Sequence, residues 1–393
     1  MLLGCSATTP HTPPAAARTL GTPRVVSEGG ELFAFPEVAA SPDALDAVPD
    51  ALAPLYARCR QGDAALARVA ERFARRQSQG DAALDVAEIG FALRAEGSPY
   101  VWPRAWTLEG VDVASPAAAE RMQHWLDSFG DGGERRCGLA LVEDGARPVL
   151  AAVAVDALAD LAPLRLRERA GAWIEVDARV LVPTAAAKYL VLGPSGSPYA
   201  VPTSFDGQRA RARFRADRPG AFLVQLLADV AGGPRPVLEA TLYAGVEPPT
   251  SFFSEPAPGE LPLGDGADDP ERALLAMLNQ ARASEQSPPL ERDPTLDAVA
   301  QRHAEAMRAL RRVAHDAGNG NPRARISAAL PSALGTGENV AHALDARRAH
   351  RALWASPSHR ENLLQPRFDK VGIGVAVDPD GSIWVCEVFA DVP

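Results

Sequence analysis

From about Ala44 to Ala92, apolar residues recur at three- and four-residue spacing: Leu52, Leu55, Tyr56 and Cys59, then Leu66, Val69, Ala70 and Phe73, then Leu84, Val86, Ile89 and Leu93. That period lines one face of a helix, so it predicts a helical region with one buried side. A Trp-containing stretch after Gly97 and Pro99 leads to a second helical run, Pro116 to Phe129. GLALVEDGARPVLAAVAVDAL, Gly138 to Leu158, predicts two strands joined by a turn at Asp144 and Gly145.

Between Pro163 and Gly245 the texture changes to short alternating segments such as AWIEVDARVLV, RARARFRAD and VLEATLYAG, separated by GPSGSPY, RPG and GGPRP. Short strands at that spacing predict a small antiparallel, Ig-like β-sandwich over 161–246. A stretch rich in Pro, Gly and acidic residues, 247–269, predicts a linker. Beyond it, Leu274, Leu275, Leu278 and Ala281 mark one amphipathic helix, and Leu296, Val299, Ala300, His303 and Met307 mark the next. A loop-rich region from Asp316 to Gly337, a helix from Leu344 to Trp354 and a closing strand pair, Val371 to Val392, complete the chain.

Composition supports a packed protein: 47% of the 393 residues are hydrophobic and 23% charged, enough apolar surface for two or three domains of roughly 150 residues. Forty Lys and Arg against fifty Asp and Glu leave a formal charge of -10, the wrong sign for covering nucleic-acid phosphates, so nucleic acid is excluded as the expected partner. No run of about 18 apolar residues of the kind that forms a membrane-spanning helix is present. Four cysteines without CxxC spacing exclude zinc ribbons, thioredoxin-like redox motifs and iron-sulfur sites.

Leu2, Leu3, Gly4 and Cys5 resemble the lipobox of a bacterial lipoprotein, in which the cysteine is acylated after cleavage. Four residues cannot hold a charged segment followed by an apolar one, so the resemblance expects the upstream signal to lie outside this sequence. The Thr, Pro, Ala and Ser stretch that follows has the composition of a disordered tether, assigned here to 1–41. Lipid on Cys5 implies an exported protein, anchored by acyl chains at the outer membrane or cell surface.

His315, the GEN at Gly337 to Asn339, Trp354 followed by SPSHR, and GIGVAV with its W-x-C-E-V-F partner come in one order over about Pro270 to Val392. These segments resemble the CAP superfamily, the SCP-like proteins that include cysteine-rich secretory, antigen 5 and pathogenesis-related 1 proteins. The resemblance implies an α+β chain whose C-terminal domain, 270–393, is a three-layer α-β-α sandwich with a surface cleft. Carried over by motif, His315, Glu338 and His359 are the cleft residues. The family's second glutamate falls where this chain has Pro357, and the motif gives Glu361 no part in replacing it.

Two imidazoles and a carboxylate converging on one point have four uses. They hold a ligand, they bind a divalent metal such as zinc through His315 and His359, or they move a proton near neutral pH. They also hydrogen-bond loops together, the structural reading. The family implies binding of a small hydrophobic ligand or an envelope component more securely than catalysis. A metal-dependent hydrolase with Glu338 as base, and a purely structural envelope protein, are the alternatives. RHAEAMRAL around His303 is not HExxH, so His303 reads as a core histidine. No PCxxC follows His359, and no GxSxG occurs. Asn339 and Ser356 read as turn and cap residues.

An internal repeat is also legible. DAALARVAERFA at Asp63 and DPTLDAVAQRHA at Asp293 share Asp, Leu, Val, Ala, Arg and Ala at equal spacing. Trp125 follows Asp63 by 62 positions and Trp354 follows Asp293 by 61; Glu109 precedes Trp125, and Glu338 precedes Trp354, by 16. GLALVEDG repeats the frame of GVAVDPDG. The repeat predicts a degenerate SCP-like domain over 42–160 that lacks both cleft histidines. An export compartment permits a disulfide between Cys59 and Cys137 of that copy. Cys386 reads as a buried small apolar side chain.

Overall fold

The computed structural model describes residues 32–80, 86–110, 112–113, 115–129, 132–143, 147–230, 233–262 and 268–393. Cys5, the tether to residue 31, Gly130 and the turn at Asp144 and Gly145 lie outside the described residues.

The N-terminal unit is built from β1 (Gln61–Gly62), α1 (Ala64–Ser78), β2 (Arg104–Glu109), α2 (Pro116–Asp127), β3 (Glu134–Val142) and β4 (Val149–Ala157). Its sheet runs in the order β1-β3-β4-β2, with β1 parallel to β3 and the other pairs antiparallel. Helix α1 begins where the Asp63 carboxylate accepts the Leu66 amide at 3.1 Å, satisfying an amide that the first helical turn leaves free. Its Leu66, Val69, Ala70 and Phe73 face is buried. Gly138 lets α1 lie directly on β3: a Cβ there would meet the Ala67 amide nitrogen at 1.9 Å. On the opposite face Trp125 of α2 stacks on Trp106 with ring centroids 6.0 Å apart. A disulfide joins Cys59 to Cys137, with Cα atoms 5.9 Å apart.

The central unit has two sheets. Strands β6 (Ala187–Leu192), β8 (Gly220–Val230) and β9 (Gly233–Ala244) lie between the short strands Tyr199–Val201 and Arg167–Glu168. Strands β5 (Trp173–Val180) and β7 (Arg209–Arg215) lie between Ala159–Leu161 and Thr203–Phe205. Alternation sets the buried face: along β7, Ala210, Ala212 and Phe214 are buried while the arginines between them are exposed. Phe214, Ile174, Phe222 and Val224 meet in one core between the sheets.

Two sequence expectations change here. Residues 32–41, grouped with the tether, are packed, because Phe33 and Phe35 bury their rings in the core and Val38–Ala39 pairs with Leu164–Arg165. The stretch 247–269, read as a linker, is strapped to the last domain through Glu260 to Arg351 and through the Pro258 carbonyl, which lies 2.9 Å from His350 Nε2.

The C-terminal unit comprises α3 (Pro270–Ser284), β10 (Glu291–Arg292), α4 (Pro294–Leu310), α5 (Pro322–Ala329), β11 (Gly335–Ala343), α6 (Ala346–Ala355), α7 (Pro357–Leu364), β12 (Lys370–Val377) and β13 (Ile383–Asp391). The sheet runs β10-β12-β13-β11, with β10 parallel to β12 and the rest antiparallel. This repeats the order and directions of the N-terminal sheet. One core joins β13 and β12 to α3 and α6 through Leu278, Leu353 and Phe389; another joins the sheet to α4 through Leu296, Met307 and Val388.

The register corrects two equivalences: Gly138 matches Gly372 and not Gly374, with which the shared GLALVEDG and GVAVDPDG frame aligned it, and Glu109 does not match Glu338. Gly372 approaches the Leu296 carbonyl carbon of α4 as Gly138 approaches α1. Gly372 lies opposite Val388, which lies opposite Glu338; Gly138 lies opposite Val153, which lies opposite Ala105. Ala105, not Glu109, therefore stands at the Glu338 position. Spacing to the tryptophan misleads because the connection from β2 to α2 is longer than that from β11 to α6.

Candidate functional site

The site forms along β11, the edge strand of the C-terminal sheet, where side chains from both faces are accessible to flanking loops and helices. Glu338 points to the α4 side and is buried, with a side-chain exposure of 1%. A carboxylate stripped of water needs compensating donors, and here three groups supply them. His315 Nδ1 lies 2.8 Å from Oε1, the Arg325 guanidinium of α5 binds Oε2, and His303 Nε2 stands 3.7 Å from Oε1. The buried Cys386 thiol faces Oε2 at 3.7 Å. Burial pushes the Glu338 carboxyl up, but the His315 hydrogen bond and the charges of His315, His303 and Arg325 outweigh it and hold it below the usual value.

An ionised carboxylate only accepts hydrogen bonds, so His315 Nδ1 carries the proton and Nε2 remains for contact outside the pair. The loop bearing His315 is fixed from two sides. Arg325 Nη1 donates to the His315 carbonyl at 2.9 Å, and His303 Nε2 meets the Ala314 carbonyl at 2.8 Å. His303 is thus buried as expected of a core histidine, but it braces the site as well. Burial lowers its pKa.

His359 lies on α7, which starts at Pro357 and packs against β11. Asn339 Nδ2 donates to the His359 carbonyl at 3.2 Å and to Glu387 Oε2 at 3.3 Å, while Asn339 Oδ1 accepts from Asn362 at 3.0 Å. Asn339 is therefore a mid-strand tie between sheet and helix, not a turn residue. The His359 ring is buried, and among the described residues its Nδ1 has no hydrogen-bond partner. Burial, with the neighbouring His315 adding to it, holds its pKa well below the usual imidazole value, so the ring is neutral at pH 7. Glu387 is fully buried, its Oε1 has no partner among the described residues, and burial pushes its pKa up to about 7 against the Asn339 hydrogen bond.

The structure thus brings His315 and Glu338 into direct contact and sets His359 on the adjoining helix. Glu361 turns away to Lys188 of the central unit at 3.4 Å. Sequence reasoning missed Arg325, His303's bracing contact, and Glu387. Arg325 sits in PRARI, a short helix whose sequence has no charge pattern that marks a partner, and only the fold carries it to Glu338.

The donor set does not suit a divalent metal. Both Glu338 oxygens are engaged, one by a permanent cation, which leaves two imidazoles where zinc sites use three or four protein ligands. Among the described residues no group of three or more His, Cys, Asp or Glu side chains is arranged to hold an ion. These residues do not fit a resident zinc ion.

Comparison with solved structures finds an outer surface protein of Borrelia burgdorferi at 25% identity, covering 32% of this chain and 96% of that one, with a TM-score of 0.31. An extracellular SCP-domain protein of Bacillus anthracis is 18% identical over 55% of this chain and 64% of that one, with a TM-score of 0.28. A cysteine-rich secretory protein of Staphylococcus aureus is 12% identical over 65% and 83%, with a TM-score of 0.28. No curated protein matches the chain. The model of CAP, the Cysteine-rich secretory protein family, matches residues 275–388, the segment that contains His315, Glu338 and His359, and the C-terminal unit is accordingly a CAP-type domain.

Proposed function

We propose that the chain is an exported cell-envelope binding protein whose C-terminal cleft takes a small hydrophobic ligand or envelope component at His315, Glu338 and His359. One observation carries this reading: Glu338 is neutralised in place by Arg325 and His315, so the open valence of the site is imidazole nitrogen rather than carboxylate. Imidazole nitrogens beside a charge-compensated carboxylate suit a hydroxyl or carbonyl group at the head of an apolar molecule.

The same observation weighs against a metal-dependent hydrolase. A carboxylate with both oxygens engaged and a lowered pKa is a poor general base. The repeated strand order supports a degenerate SCP-like domain at 42–160, an Ig-like spacer at 161–246 and one working site. The N-terminal copy has Ala105 at the Glu338 position and no histidine between residues 79 and 103. Acylation at Cys5 would hold this assembly at the membrane.

Zinc titration of wild type, His315→Ala and His359→Ala, followed by a hydrolase screen, tests the reading. Turnover that requires zinc and disappears in both variants would overturn it. Absence of zinc-dependent turnover, with binding of an apolar probe lost in both variants, is the expected result.

A further inference from the structure

Helix α7 holds His359 but does not cap itself. Ser356 occupies the N-cap position, and its side chain accepts no amide hydrogen bond from the first turn. The amide of Ser358 is instead satisfied from the central unit: Gln225 Oε1 of β8 accepts it at 3.0 Å. Gln225 is fully buried, and its Nε2 donates to Glu239 Oε1 of β9 at 2.6 Å and faces Ser356 Oγ at 3.5 Å. Glu239 in turn pairs with Arg94 of the N-terminal unit at 3.6 Å. Opposite positions in the β8–β9 register place Gln225 and Glu239 side by side. A line of polar contacts thus crosses all three units and ends one residue before His359.

We propose that Gln225 is a positioning residue for the cleft: by capping α7 from the central unit it sets the orientation and burial of His359. The inference rests on the reading of His359 as a cleft residue. The physical reason is that a partly buried N-terminal helix amide at a domain junction needs an acceptor, and Gln225 supplies it. The side chain cannot rotate away, because Glu239 holds its amide nitrogen. Lys188 to Glu361, an exposed pair on the same helix, adds little, since ion pairs in water contribute weakly. The central unit is then a working part of the site.

The test uses the full chain and needs no ligand. Diethyl pyrocarbonate modification is read by mass spectrometry at His359, with His315 in the same molecule as reference, and amide exchange is read over 357–364. In Gln225→Leu, His359 modification and exchange across α7 should rise about fivefold, the factor equivalent to a lost cap of about 1 kcal/mol, while His315 stays unchanged. The double exchange Gln225→Glu with Glu239→Gln keeps an acceptor towards Ser358 and reverses the donor within the pair, so it should restore wild-type protection. Equal rises at His315 and His359, or a rise across all three units, would mean that Gln225 serves only stability and would overturn the proposal. Unchanged His359 and α7 in Gln225→Leu would do the same. If Gln225→Leu does not fold, failure of the double exchange to protect His359 overturns the proposal. These readouts are independent of ligand binding, so an error about the ligand leaves the positioning result standing.

Discussion

Removing Arg325 probes the electrostatics of the site most sharply. In Arg325→Leu the Glu338 carboxylate, 1% exposed, loses its permanent countercharge. Breaking a buried pair from one side costs about 3–5 kcal/mol, and the 10% exposure of Arg325 places this pair at about 3 kcal/mol. The pH dependence gives the signature. In wild type the Glu338 pKa is depressed, so its contribution is present above the unfolded carboxyl value and is lost as pH falls through the folded value. Loss of the Arg325 charge moves the folded pKa up, so the variant keeps less of that contribution above the unfolded value, and the difference fades as pH falls and Glu338 is protonated. The stability gap between wild type and variant should therefore be full at pH 7.5 and close towards pH 4. Urea unfolding of the full chain, followed by amide exchange in peptides from 270–393, measures it. Arg325→Leu combined with Glu338→Gln should recover most of the loss at pH 7.5. A gap that is the same at both pH values, or smaller than about 1 kcal/mol at pH 7.5, would refute the reasoning.

Other outcomes follow from the same structure. Reducing the Cys59–Cys137 disulfide, which spans 78 residues, should destabilise the N-terminal unit by up to about 4.5 kcal/mol on loop entropy, seen as a fall in its urea midpoint with the C-terminal unit unchanged. Gly372→Ala would place a Cβ 2.1 Å from the Leu296 carbonyl carbon, so α4 must move off the sheet; loss of soluble protein or a fall of several degrees in melting temperature is expected. Glu387→Gln should stabilise the protein at pH 8 by on the order of 3 kcal/mol and leave it unchanged at pH 4. A carboxyl whose folded pKa is raised to about 7 contributes stability below the unfolded value, and this is lost as pH rises through the folded one; denaturation at the two pH values checks the sign.

Much of the architecture was legible because local chemistry and global fold agree. Asp63 and Asp293 announce their helices, and the spacing after each marks the face that meets the sheet. The alternation of β7 similarly separates its buried residues from its exposed arginines. Glu109 was misleading because a residue count cannot see how much chain the β2–α2 connection consumes; pairing register can. Phe33 and Phe35 were hidden in a stretch whose average composition is that of a tether. At the candidate site, motif spacing singles out Glu338, His315 and His359, but Arg325 and Gln225 come from a short helix and a different unit. Their roles depend on which buried carboxylate or amide lacks a partner, a property of the folded chain alone.

The central claim is that the cleft binds a small ligand through its imidazoles and not through a metal. Calorimetric titration of the full chain with palmitate and with a soluble sterol ester, in parallel with His315→Ala and His359→Ala, tests it most directly. The account predicts one saturable site for at least one probe in wild type, weakened at least about tenfold in both variants, a change of about 1.4 kcal/mol. Equal binding by wild type and both variants, or no saturable binding of either probe, would contradict it.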